Sequence, residues 1–81
     1  MKKFYFTFGV GHPMYASTAA TVTVPDTPDA FEVARELFME RFGKSWSMQY
    51  GEDEYLSTEE FSGYGTADYM ELVPVEYDLL S

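Results

Sequence analysis

Over residues 3–10 every second side chain is apolar. Phe4, Phe6, Phe8 and Val10 share one face, and Tyr5 and Thr7 the other. A period of two with aromatic residues predicts a half-buried strand. Gly9-Val10-Gly11-His12-Pro13 interrupts it, and residues 9–17 are expected to form a turn-rich loop with glycine at positive φ. Ala20, Val22 and Val24 then alternate with Thr21 and Thr23. Two strands of similar length joined by that loop predict an antiparallel hairpin with a long connection.

Pro25-Asp26-Thr27-Pro28-Asp29 stops the second strand and announces a helix. Thr27 as N-cap would place Pro28 at the first helical position, where its missing N–H costs nothing. Asp29 as N-cap with Glu32 three residues on is the alternative start. Phe31, Ala34, Phe38 and Phe42 recur at helical spacing, Leu37 widens the stripe, and Gly43 is a natural left-handed terminator. The spacing predicts a helix over residues 28–42.

Trp46, Met48 and Tyr50 alternate with Ser45, Ser47 and Gln49, a third expected strand over residues 45–50. Residues 51–68 form an acidic stretch in which Ser57-Thr58-Glu59-Glu60-Phe61 fits a capping box and a short helical turn. Residues 69–77 are the expected fourth strand, with Pro74 confining it to an edge or a bulge. The order is β-β-α-β, a short helix or loop, then β. This is an α+β fold with a small, mostly antiparallel sheet and one amphipathic helix on one face. The 81 residues form a single domain, and a content that is 46% hydrophobic and 19% aromatic can fill a small core, to which Trp46 and the Phe stripe are assigned.

Charge changes the picture. Residues 1–44 balance Lys2, Lys3, Arg35, Arg41 and Lys44 against Asp26, Asp29, Glu32, Glu36 and Glu40. Residues 45–81 hold Glu52, Asp53, Glu54, Glu59, Glu60, Asp68, Glu71, Glu76 and Asp78 with no base, so the whole formal charge of −9 falls there. A field of that sign repels nucleic acid and anionic lipid and attracts basic protein surfaces. It also keeps a small protein soluble, the plainer account of the same residues. Absence of cysteine excludes a disulfide framework and thiolate chemistry, and a single histidine excludes a His-rich metal site. No apolar run reaches the length that crosses a bilayer, and Met1-Lys2-Lys3 leads into strand rather than an apolar signal core. The expected setting is cytoplasmic.

Among possible chemistries, Gly9-Val10-Gly11 lacks the third glycine and the following helix of a dinucleotide loop. His12 has no marked partner for acid–base work and fits a turn or a contact residue. Glu52-Asp53-Glu54 lacks the spacing of a calcium loop, and no metal or cofactor is expected. Two features remain. Asp29, Glu32, Glu36 and Glu40 share one helix side, where like charges at i, i+4 cost a few tenths of a kcal/mol each. Arg35 is positioned to relieve Glu32. Five of the seven tyrosines, Tyr50, Tyr55, Tyr64, Tyr69 and Tyr77, lie in the acidic half. Tyrosine among carboxylates makes a good protein-binding surface, because an arginine can stack on its ring.

Phe4-Tyr5-Phe6-Thr7-Phe8-Gly9 with its Gly-His loop, a helix bearing Ala34-Arg35 and ending Arg41-Phe42-Gly43, then Lys44-Ser45-Trp46 and Gln49-Tyr50, resembles a group of small bacteriophage and prophage proteins. The resemblance spans about residues 3–50 and carries no activity over. It implies a phage or prophage context inside a bacterial host, where small acidic proteins act on host proteins that include defence nucleases.

The expectation is a non-enzymatic acidic accessory protein that binds a basic, nucleic-acid-binding surface of a host protein by charge mimicry, with an anti-CRISPR role as its sharpest form. It would not bind nucleic acid or membrane directly. Glu52, Asp53, Glu54, Glu59, Glu60 and Asp68 would carry the contact, with Tyr55 and Tyr64 as anchors and Asp29, Glu32, Glu36 and Glu40 as a secondary face. One alternative is a small-ligand or nucleotide binder using Gly9, Gly11 and His12 in the 9–15 loop. Another is a module that self-associates through the edge at residues 69–77.

Overall fold

A computed structural model describes residues 1–9 and 11–74. The elements run β1 (Lys2–Thr7), β2 (Thr18–Val24), α1 (Ala30–Phe42), β3 (Met48–Gly51), α2 (Glu52–Leu56), a 3-10 turn at Glu59–Phe61, β4 (Gly65–Asp68) and a second 3-10 turn at Tyr69–Glu71. The α+β expectation holds. The sheet order is β3-β1-β2-β4, with β1 antiparallel to both β2 and β3 and β4 parallel to β2.

Strand alternation sorts the core into two layers. On one face Phe4, Phe6, Phe8, Ala20, Val22 and Val24 pack against Ala30, Ala34, Phe38 and Phe42 of α1, with Leu72 closing one side. Phe6 stacks on Phe38 with centroids 4.2 Å apart, and half-buried Trp46 meets both rings edge-on. Each fully buried large side chain contributes about 1.5–3 kcal/mol, so this layer holds most of the stability. On the other face Tyr5 and Ala19 pack against Tyr55 and Phe61, with Tyr50 and Tyr64 at the margin. The protein therefore has three layers: α1, the sheet, and a cover made of α2 and the Glu59–Phe61 turn.

Several expectations need correction. The fourth strand forms at Gly65–Asp68, and Tyr69–Glu71 turns as 3-10 instead. Residues 75–77 of the expected strand, and Val10 of the first, lie outside the described residues. The third strand starts three residues later than the alternation suggested, although the Ser47 N–H still donates to the Thr7 carbonyl. The acidic stretch opens with the helix α2 at Glu52–Leu56, ahead of the short helical turn expected from Ser57, which forms as the 3-10 turn Glu59–Phe61. In α1, Phe31 and Leu37 stay exposed; the buried stripe is Ala30, Ala34, Phe38 and Phe42, one residue per turn.

The helix ends follow local chemistry. Asp29 is the N-cap residue, but its carboxylate accepts from the Thr27 hydroxyl at 2.6 Å and makes no bond to the helix. At the other end Gly43 takes φ +62°, and its N–H donates to the Met39 carbonyl. Among the described residues it is the one glycine at positive φ, so the expected positive φ at Gly9 and Gly11 is not found.

Candidate protein-interaction surface

The carboxylates divide between the two outer layers. Glu52, Asp53 and Glu54 form the first turn of α2, and Glu59 and Glu60 follow in the next turn; all five are exposed. They sit on the cover over Tyr5. Glu32, Glu36 and Glu40 project from α1 on the side away from Ala30, Ala34 and Phe38, and they too are exposed. Asp29 stands exposed at the start of that helix. The two acidic sets therefore lie on opposite sides of the sheet, and a flat partner surface meets one or the other.

Among the described residues neither arginine pairs with a carboxylate. Arg35 donates from Nε to Gln49 Oε1 at 3.0 Å and lies over the rings of Phe31 and Trp46, so the expected relief of Glu32 is absent. Gln49 completes the link by donating from Nε2 to the Phe31 carbonyl. Arg41 turns its guanidinium onto three carbonyls: Nε to Tyr69, and Nη2 to Met70 and Leu72. It ties the 69–72 turn to α1. Among the described residues the one ion pair joins Lys2 and Asp26 at 3.9 Å, at the surface, where such pairs contribute little. The bases in the balanced half thus leave the acidic surface unscreened.

Two of the expected contact residues have structural duties. Asp68 is half-buried and accepts from the Met70 N–H through Oδ1, capping the 69–71 turn. Glu54 accepts from the Gly51 N–H through Oε1, holding the start of α2. Tyr55 is corrected outright: it is 4% exposed, its ring stacked between Tyr5 at 4.1 Å and Phe61 at 4.8 Å. It is core, not anchor. Burial, with smaller contributions from Tyr5 and Tyr64, pushes its phenol above the ordinary value of 10. Tyr64 is half-buried, edge-on to Phe61, and offers only part of its ring.

The loop proposed for a small ligand is closed on itself. His12 donates its N–H to the Gly9 carbonyl, and its Nδ1 accepts from the N–H groups of Met14 and Tyr15 at 3.2 and 3.0 Å. The imidazole is buried against Phe8 and Tyr15, and desolvation lowers its pKa. Gly9 and Gly11 lead into β2, and among the described residues no helix starts between them and that strand. Among the described residues no three His, Asp or Glu side chains gather as a metal-binding group.

One feature escaped the sequence reading. A groove of about 350 Å³ runs between α1 and the 69–71 turn, lined by Leu37, Glu40, Arg41, Tyr69 and Met70. Its sequence signal was Leu37 at the margin of the apolar stripe, too far round the helix to reach the core. No family model, curated protein or solved structure matches this chain.

Proposed function

We propose that this protein is a non-enzymatic binding module whose acidic cover engages a basic surface of another protein. The observation that carries the reading is the state of the arginines: both are committed to amide, carbonyl and ring contacts, so Glu52, Asp53, Glu59 and Glu60 face solvent without a neutralising base. Such a surface accelerates encounter with a cationic partner and loses that advantage as salt screens it. In a phage or prophage setting, which the resemblance over residues 3–50 suggests, the partner is a host protein whose nucleic-acid groove the carboxylates occupy in place of phosphates. A defence nuclease such as a CRISPR effector is the sharpest case.

The test is capture from bacterial host lysate with the wild type and with a variant carrying Gln or Asn at residues 52, 53, 59 and 60. The expected result is a nucleic-acid-binding protein held by the wild type at low salt, released by duplex DNA, and lost in the variant. Its association rate should fall at least tenfold between low and high salt. A partner whose affinity is indifferent to salt and to the four substitutions overturns the reading.

A further inference from the structure

We propose that the guanidinium of Arg35 is a receptor for a single carboxylate with an apolar group beside it, the chemistry of a peptide C-terminus or of an acidic side chain. This site lies in the α1 layer, across the sheet from the α2 cover, and does not depend on the function proposed above.

The guanidinium is held in place. Its Nε donates to Gln49 Oε1 at 3.0 Å, and Gln49 is buried and fixed in turn by its own donation to the Phe31 carbonyl. The ring centroids of Phe31 and Trp46 lie 5.1 and 5.2 Å from the guanidinium carbon. Trp46 is anchored as well, its Nε1 donating to the Gly43 carbonyl at 3.1 Å. An arginine fixed in this way has little freedom left to lose when it binds.

Its outer end is unused. Arg35 is exposed, and neither Nη1 nor Nη2 has an acceptor among the described residues. Arg41 differs, because its Nη2 is taken by the Met70 and Leu72 carbonyls. With the Nε edge of Arg35 given to Gln49, the open edge is the Nη1–Nη2 fork, which matches the two oxygens of one carboxylate with parallel N–H···O bonds. Phe31, 41% exposed, supplies apolar surface for the group next to that carboxylate. Charge limits the ligand further. Glu32 and Glu36 belong to the same helix without pairing to Arg35, and the chain carries a formal charge of −9. One guanidinium balances one negative charge. A phosphate brings about two and a nucleic acid many more, and the surrounding field repels the excess.

Trp46 is the only tryptophan, so its fluorescence reports on the site. The test titrates the full chain with N-acetyl-leucine, N-acetyl-leucinamide, N-acetylglycine, the α-amide of N-acetylglutamate and inorganic phosphate, all at constant ionic strength. N-acetyl-leucine should bind about tenfold more tightly than its amide, the size of effect expected for a charge-assisted fork over a neutral contact. It should also bind more tightly than N-acetylglycine and phosphate. If N-acetyl-leucine exceeds the glutamate derivative, the carboxylate belongs to a peptide C-terminus; the reverse order assigns it to an acidic side chain. Arg35→Gln should abolish the preference for acid over amide, with folding checked by circular dichroism. Arg35→Lys, which keeps the charge and loses the fork, should remove most of it and serves if the Gln variant does not fold. Asn and Gln at residues 52, 53, 59 and 60 should leave the preference intact, which separates this site from the α2 cover. Equal binding of N-acetyl-leucine and its amide overturns the proposal. So does a preference that survives both Arg35 variants. Phosphate binding more tightly than either carboxylate overturns the assigned ligand, and equal binding of N-acetylglycine and N-acetyl-leucine overturns its apolar part.

Discussion

Replacing Tyr55 by phenylalanine should stabilise the protein. The ring lies between Tyr5 and Phe61, interplanar angles 4° and 3°, and Phe keeps that stack unchanged. The hydroxyl is buried and has no hydrogen-bond partner among the described residues. Its pKa is displaced upward, so at neutral pH it is an uncharged donor with nothing to donate to. Leaving such a group buried costs about 1–3 kcal/mol relative to leaving it in water. Tyr55→Phe should recover about 1 kcal/mol of that, since some relaxation accompanies the loss, and for a domain of this size 1 kcal/mol moves Tm by about 4–8 °C. Tyr55→Ala removes the whole ring and should cost about 3–5 kcal/mol. Urea melts followed by circular dichroism, with the slope checked for constancy, give both numbers. A Tyr55→Phe variant less stable than wild type by 1 kcal/mol or more would refute the reasoning, because the hydroxyl must then be making a bond in the folded state.

Two further outcomes follow from local geometry. Gly43→Ala places a β-carbon at φ +62° with open space around it, so the cost isolates backbone strain; a loss of about 1–3 kcal/mol is expected in thermal melts, and an unchanged Tm would count against the assigned cap. His12→Asn keeps an acceptor for the Met14 and Tyr15 N–H groups but cannot titrate. The folded-state pKa of His12 lies below its unfolded value of 6.5, so its neutral form contributes fully above pH 6.5. That contribution is lost as pH falls through the lowered folded value. Wild type should therefore lose stability relative to His12→Asn over that window, while parallel stability curves for the two would contradict the buried neutral imidazole.

Much of the α1 layer was legible in the chain. Alternation of Phe4, Phe6 and Phe8, and of Ala20, Val22 and Val24, is a strong period-two signal, and Phe38 and Phe42 mark the helix face that meets them. The second layer was not read, although its signal was present. Tyr5 and Tyr50 occupy the reverse face of two expected strands and are paired across the ladder, so some cover had to come from the acidic half. Tyr55, Phe61 and Tyr64 are that cover; charge on their neighbours disguised them as surface. β4 was misplaced because Gly65-Thr66-Ala67-Asp68 has no large apolar side chain, and its parallel pairing is a tertiary fact that local pattern cannot carry. Within the site, the carboxylates of α2 were identified correctly as exposed. The internal duties of Arg35 and Arg41 depend on partners distant in the chain, such as Arg41 with Leu72, and had no local mark, whereas Asp68 caps the Met70 N–H two residues on.

The parallel pairing of β4 with β2 has a consequence for biosynthesis. Thr18 meets Gly65, so the loop that this contact closes contains α1, β3, α2 and the Glu59–Phe61 turn. A nascent chain can assemble the β1–β2 hairpin and the main helix early. It must nevertheless carry β2 with one bare ladder edge until the ribosome has delivered residue 68. The edge that β4 covers, Thr18-Ala19-Ala20-Thr21, is while unpaired a template for association with other chains. The error-prone interval in making this protein should therefore last until β4 is complete, and a chain cut short just before Gly65 should aggregate.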